Sequence, residues 1–177
     1  MGAGLKLTRR QALCCGAVAA AGLFTGLGLM GAASLRNPCR GGLPEALARH
    51  ELVLAAWEGL AASQVWDAHA HLLGTGDSGS GCSIHPNMQQ WWHPESVRRK
   101  LILNAACVDG EAPSIDQAYV AQLRRLAQDF PAGARWCLFA FERALDDAGR
   151  ERPEWTTFHV PDEYAAEVAE ASRARFA

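Results

Sequence analysis

The sequence predicts an α/β fold with a parallel sheet, and three observations carry that expectation. Helix-like and strand-like segments follow one another in the order helix, strand, helix, helix, strand, helix, the alternation from which parallel sheets are built. Residues 64–72 alternate at period two and end in a glycine-rich loop, as a strand does. Residues 136–141, Trp-Cys-Leu-Phe-Ala-Phe, are apolar without interruption, which suits a parallel strand covered on both faces.

The first segment stands apart from the fold. Lys6, Arg9 and Arg10 precede an uncharged stretch, Gln11 to Leu35, rich in Ala, Gly and Leu, the pattern of a targeting segment. Thr8-Arg9-Arg10-Gln11-Ala12-Leu13 resembles the twin-arginine export signal, an adjacent Arg pair just before a mildly apolar core that contains glycine. Small residues at Gly31 to Ala33 place the expected cleavage after Ala33, giving a signal peptide over residues 1–33. The same run meets the length criterion of roughly 20 residues for an uncleaved membrane anchor, although its glycines weaken that alternative. A core helix would show a polar face, and none is present over this length. No Leu-x-x-Cys lipobox closes the run. The expected location is therefore the periplasm, or its membrane face, reached through the twin-arginine export machinery, with membrane contact only through the leader.

Residues 34–42, with Pro38 and Gly41-Gly42, read as a linker, and the folded domain is expected over 43–177. Leu43, Leu47, Leu54 and Trp57 recur at helical spacing, predicting one amphipathic helix from about Pro44 to Leu60 that packs on the strand after it. The strand over 64–72 comes next, then a glycine-rich loop. Pro94 to Val108 places Val97, Leu101, Ala105 and Val108 on one face, with Arg98, Arg99 and Lys100 largely elsewhere, as on a surface helix. Ser114-Ile115-Asp116-Gln117 is a capping box, and Ile115, Tyr119, Leu123, Leu126 and Phe130 continue at steps of four and three. Pro131 and Gly133 end that helix before the apolar strand. From Pro161 a last helix begins with Asp162 and Glu163 and is expected to end with Arg173 and Arg175, charges that complement the helix dipole.

Composition narrows the function classes. With 49% hydrophobic and 20% charged residues, the chain has the makeup of a globular domain plus an apolar segment. A net charge of -2 with arginines spread over several segments gives no attraction to phosphate backbones, so nucleic acid is a poor partner. The six cysteines include no Cys-x-x-Cys pair, which removes the usual zinc-knuckle and thioredoxin-like signatures. Cys14 and Cys15 fall in the leader. Cys39, Cys82, Cys107 and Cys137 allow three connectivities that spacing does not decide, and mostly buried thiols are the expectation.

The chemistry-bearing motif is Asp67-Ala68-His69-Ala70-His71. Residues i, i+2 and i+4 of a strand share a face, so Asp67, His69 and His71 are expected to point one way and the two alanines the other. Two imidazoles at adjacent same-face positions can converge on one cation, with bonds of about 2.0 to 2.1 Å for zinc. Asp67, one step deeper, is placed to hold a ligand or a backbone group, the support that metal-binding histidines need. A lone His would be an ordinary strand residue; Asp-x-His-x-His closing a strand favours a metal.

Val65-Trp66-Asp67-Ala68-His69-Ala70-His71-Leu72 resembles the first-strand motif of the amidohydrolase superfamily. The stretch from about Leu43 to Ala177 is similar to the N-terminal part of the amidohydrolase-2 type of metal-dependent barrel hydrolases. The resemblance implies the first part of a (β/α)8 TIM barrel, a divalent metal, with zinc the first choice, on His69 and His71, and hydrolysis of a small-molecule C–N or C–O bond. Some members of that type decarboxylate instead. The remaining ligands and the acidic residue that activates water come from later strands in such barrels, so the expectation is a truncated chain, inactive alone. Phosphotriesterase-like and metal-dependent nuclease barrels share the opening motif. An exported, non-catalytic metal-binding or interaction fragment is the alternative.

Other signals are weaker. Gly74-Thr75-Gly76-Asp77-Ser78-Gly79 fits the dinucleotide pattern, but no helix opens within it, and Gly81 and Pro86 follow. A mobile loop over the barrel mouth is the expectation instead. His85, Trp91, Trp92, His93 and His159 are candidate pocket residues, with packing of loops on the rim as the competing role. His50 is expected at a surface or interface, and the basic clusters at Arg98–Lys100 and Arg124–Arg125 on solvated helix faces.

Overall fold

The computed structural model describes residues 37, 39, 42–173 and 175–177. The twin-arginine segment, the expected cleavage point, Cys14, Cys15 and most of the linker lie outside the described residues. Contacts divide the chain into residues 1–37 and 38–177, and every element below belongs to the second unit. Among the described residues no helix is long and apolar enough to cross a membrane.

The expected first helix is two short ones, α1 (Glu45–Ala48) and α2 (Glu51–Trp57). His50 breaks them: its backbone is extended, and its Nδ1 accepts the Leu52 N–H at 3.2 Å, capping α2. Only Val53 and Trp57 of α2 are half-buried, Trp57 meeting Phe130 edge-on, while Leu43, Leu47, Leu52 and Leu54 stay exposed. A three-residue 3-10 turn then leads into β1 (Trp66–His71).

Strand β1 pairs in parallel with β3 (Arg135–Phe139). The register matches Asp67 with Trp136 and Ala70 with Leu138, so β1 carries one extra residue between them, a bulge. On the far side of β3 the chain comes back once more. Arg175 O accepts from Trp136 N–H, Ala177 N–H donates to Trp136 O, and Leu138 N–H donates to Ala177 O, so residues 175–177 lie alongside β3 in parallel. Three parallel stretches therefore stand in the order of the sequence. With so few strands, β3 is not covered on both faces as its composition suggests: Trp136 is buried, Cys137 and Leu138 are half-buried, and Phe139 is 36% exposed.

Two-residue strands β2 (Ser83–Ile84) and β4 (Phe158–His159) form an antiparallel pair, and Val160 bridges Phe141. A 3-10 turn over Pro86–Gln89 leads to α3 (Pro94–Ala105). The inward face of α3 is not the expected one. Ser96 and Leu103 are buried, whereas Val97 and Leu101 are 57% and 42% exposed. Helix α4 (Ile115–Gln128) starts at the capping box, with Ser114 Oγ accepting the Gln117 N–H at 3.2 Å. Its inward face buries Ile115, Asp116, Val120 and Ala127 and half-buries Tyr119 and Leu123, leaving Leu126 and Phe130 exposed. Helix α5 (Asp162–Glu170) ends before Arg173 and Arg175. Arg173 pairs back with Glu170, and Arg175 donates to the Phe130 and Pro131 carbonyls while lying over Trp136.

The core joins Leu72, Val120, Ala127, Trp136, Val160, Val168 and Phe176, with a satellite of Leu103, Val108 and Ile115, and Tyr119 touches both. Within it lies a carboxylate. Asp116 is fully buried and accepts hydrogen bonds from the Thr75, Gly76 and Ser78 amides (2.6, 3.2 and 3.3 Å) and from the Ser78 and Ser80 hydroxyls (2.8 and 2.7 Å). Asp77 of the same loop reciprocates at the N-terminus of α4, accepting from Ser114 Oγ at 2.7 Å and from the Ile115 and Asp116 amides at 2.6 and 3.3 Å. The glycine-rich loop is therefore fastened, not the mobile flap its composition suggests. Gly76 is required there: its φ is +85°, and a Cβ would lie 2.3 Å from the Cys82 carbonyl.

Cys39 and Cys107 form a disulfide, with Cα atoms 5.3 Å apart. Cys82, buried, and Cys137, half-buried, are free, so the expectation of mostly buried thiols holds for these two and fails for the bridged pair. Burial pushes the Cys82 thiol up, which keeps it protonated and unreactive.

Three predictions rest on these contacts. Asp116→Asn, which replaces an accepting oxygen with a donor among donors, is expected to cost at least about 3 kcal/mol in urea unfolding, because several buried N–H and O–H groups lose their acceptor. Although burial pushes the Asp77 carboxyl up, its bonds from Ser114, Ile115 and Asp116 outweigh this and hold it below the ordinary 3.8. Its contribution is thus present above pH 3.8 and lost on acidification below it, so the urea midpoint should fall in that range less steeply in Asp77→Ala. Reducing the Cys39–Cys107 bridge, which closes a loop of sequence separation 68, should cost about 2 to 4 kcal/mol, and an unchanged urea midpoint in dithiothreitol would contradict that.

Candidate metal centre

The bulge decides how the motif is presented. It takes the His69 N–H out of the ladder with β3, and Asp67 Oδ1 accepts that N–H at 2.9 Å. Asp67 thus holds a backbone amide, not an imidazole ring. It lines a groove of about 370 Å³ together with Ala70, Leu123 and Ala127, on the side of β1 that meets α4. The strict alternation expected of the strand is broken at this point, and the two histidines nonetheless come together.

His69 Nε2 and His71 Nε2 stand 2.9 Å apart, with ring centroids 4.6 Å apart and rings nearly perpendicular. At that separation the two nitrogens share one proton, one ring donating and the other accepting. Phe139 packs its ring edgewise against His69 at 4.7 Å, and Phe141 stacks on His71 at 4.8 Å. The backbone around the pair is held from three sides. Tyr119 donates its hydroxyl to the His71 carbonyl at 3.0 Å, Leu72 is fully buried with its N–H on the Phe139 carbonyl, and the loop beyond is clasped by Asp116. All of this sits at the C-terminal end of the parallel pair, where ligands of α/β sheets are bound.

The pair meets a geometric requirement for a divalent ion. Two metal–nitrogen bonds of about 2.0 to 2.1 Å can join nitrogens up to roughly 4 Å apart, and 2.9 Å lies inside that span. Replacing the shared proton by a cation needs no change of strand geometry. Among the described residues no group of three or more His, Cys, Asp or Glu forms a metal cluster, so the pair stands as two ligands.

The other histidines are engaged differently. His85 uses both ring nitrogens structurally, Nδ1 accepting the Asn87 N–H at 3.1 Å and Nε2 reaching the Glu154 carbonyl at 3.0 Å. His93 caps α3, its Nδ1 accepting the Glu95 N–H at 3.2 Å. His159 donates Nδ1–H to the Phe141 carbonyl at 2.8 Å, holding the backbone of the residue whose ring stacks on His71. Trp91 and Trp92 stand edge to face, 84% and 66% exposed, on the surface before α3. The sequence reading missed Tyr119, Phe139, Phe141 and Asp116. Phe139 and Phe141 carry a usable signal, since they are period-two neighbours at the end of a strand parallel to the motif; a helical Tyr bonding a strand carbonyl carries none.

No family model, no curated protein and no solved structure matches this chain.

Proposed function

We propose that this chain belongs to a metal-dependent hydrolase of the amidohydrolase type, acting on a small-molecule C–N or C–O bond, with decarboxylation as the variant chemistry of such barrels. The observation that carries the proposal is the convergence of His69 and His71 Nε2 at the C-terminal end of a parallel strand. The neighbouring parallel stretches in sequence order, β1, β3 and 175–177, are in keeping with successive units of a (β/α)8 barrel. Export through the leader is supported by the Cys39–Cys107 bridge, since disulfides persist in oxidising compartments such as the periplasm.

In this scheme His69 and His71 hold the ion, Asp67 fixes the bulge that aims His69, and Tyr119 fixes the carbonyl of His71. Phe139 and Phe141 wall one side of the pair and leave the other open to solvent. A divalent ion held there supplies Lewis acidity toward a substrate carbonyl and toward the attacking water. A non-catalytic, exported metal-binding fragment is the second reading, favoured by the absence, among the described residues, of a third ligand beside the pair.

The test is metal retention by the full chain after loading with zinc and dialysis. His69→Ala and His71→Ala are each expected to reduce retained zinc to background, and Asp67→Ala to weaken affinity by about 10- to 100-fold, with Asp67→Asn largely restoring it. Retention in both histidine variants would refute the metal assignment. Turnover on a panel of amides, lactones and aryl carboxylates, lost in His69→Ala, would favour the hydrolase over the non-catalytic fragment.

A further inference from the structure

We propose that the cavity between the turn after β2 and the hairpin that follows β3 binds one small aliphatic α-amino acid as its zwitterion, Arg143 taking the carboxylate and Glu151 the ammonium. The site goes beyond the metal reading and uses none of its residues. The cavity measures about 250 Å³, below the roughly 300 to 1,000 Å³ of pockets that take drug-sized ligands, which limits the occupant to a small molecule.

Backbone contacts fix its walls. Thr156, buried, accepts the Ala144 N–H at 3.0 Å and donates to the Arg152 carbonyl at 3.0 Å, while the Arg152 N–H reaches the Ala144 carbonyl at 2.8 Å, so the two arms of the hairpin are joined. His85, between Ile84 and Pro86 of the other wall, donates its N–H to the Thr157 carbonyl at 3.0 Å, and its Nε2 reaches the Glu154 carbonyl at the same distance. The cavity therefore stands before anything enters it, and binding orders little of the chain.

Arg143 and Glu151 are the two charged residues that line it, and they pair at 2.9 Å. An ion pair this exposed contributes little to stability, and the backbone bonds hold the hairpin without it. Its position at the cavity makes it selective. A lone anion drawn to Arg143 meets the Glu151 carboxylate beside it, a lone cation meets the guanidinium, and a wholly apolar guest strips water from both charges without replacing it. A zwitterion laid antiparallel to the pair gives every charge an opposite neighbour, and the planar guanidinium has more than one N–H to offer a carboxylate. Ile84, Pro86 and Pro153 supply an apolar wall for an aliphatic side chain. The nearby cation Arg152 is engaged elsewhere, with Glu154, Asp146 and the face of Trp155.

The experiment is isothermal titration calorimetry of the full chain with L-valine and L-leucine. One saturable site per chain is expected for at least one of them, with N-acetyl-valine, which lacks the ammonium, and valinamide, which lacks the carboxylate, each binding about tenfold or more weakly than valine. Arg143→Gln and Glu151→Gln are expected to weaken amino-acid binding by a similar factor, with the urea midpoint nearly unchanged. No saturable binding of either amino acid overturns the site. Equal binding of the two capped analogues overturns the zwitterion class, and undiminished binding in both variants overturns the roles of Arg143 and Glu151. Because the analogues are titrated into the unaltered chain, the class is tested even where a variant fails to fold. Added zinc or EDTA should leave the binding unchanged, whether or not His69 and His71 hold a metal; loss of binding in EDTA would place the amino acid on the ion and overturn the separate site.

Discussion

Two aspartates exchange hydrogen bonds between the loop after β1 and the first turn of α4, and the rest of the structure is arranged around that exchange. Asp77 satisfies the amides that a helix N-terminus leaves open, while Asp116, one residue inside the helix, gathers three amides and two hydroxyls of the loop. A buried carboxylate is tolerable only when its charge is met by donors, and here the donors come almost entirely from one stretch of seven residues, 74–80. The loop has no other way to fold so tightly, since Gly74 and Gly76 leave no room for a Cβ beside Cys82.

The consequence reaches the histidines through the backbone. With the loop fixed at Asp116 and Leu72 sunk in the core, the C-terminal end of β1 cannot shift along β3, and Tyr119, three residues after Asp116 on the same helix, ties down the His71 carbonyl. The bulge at Ala68–His69 then sets where the His69 ring points, and Asp67 supplies the acceptor that its displaced amide needs. A pair of imidazoles held by exposed side chains alone would sample many rotamers. Here the backbone on both sides of the pair is restrained, while the rings themselves remain open to solvent.

Much of this was legible in residue order, and the failures have physical causes. The capping box at Ser114 and the parallel strand at 135–139 could be read because each depends on local pattern. The contact faces of α3 and α4 differ from the expected ones, as Val97, Leu101 and Leu126 are exposed. Periodicity identifies an amphipathic helix, but which of two adjacent stripes faces inward depends on partners elsewhere in the chain. Asp116 was hidden for a similar reason. An acidic residue at the start of a helix has an ordinary explanation in the dipole, and only the fold brings residues 74–80 around it. Asp67 was expected beside the imidazoles on one face, and the bulge, which no composition signal marks, turned its carboxylate to the backbone. The disulfide was undecidable among three pairings until Cys39 and Cys107 were seen in the same place.

The claim on which the account turns is that His69 and His71, alone among six histidines, bring two ring nitrogens close enough together to share one metal. Long-range proton–nitrogen correlation spectra of the histidine rings, recorded on the full chain before and after adding zinc, measure this at the atoms concerned. The account predicts that the Nε2 signals of His69 and His71 shift together, while those of His50, His85, His93 and His159, whose rings are bonded to backbone, stay in place. Zinc-dependent shifts at any of those four rings, with His69 and His71 unmoved, would contradict it.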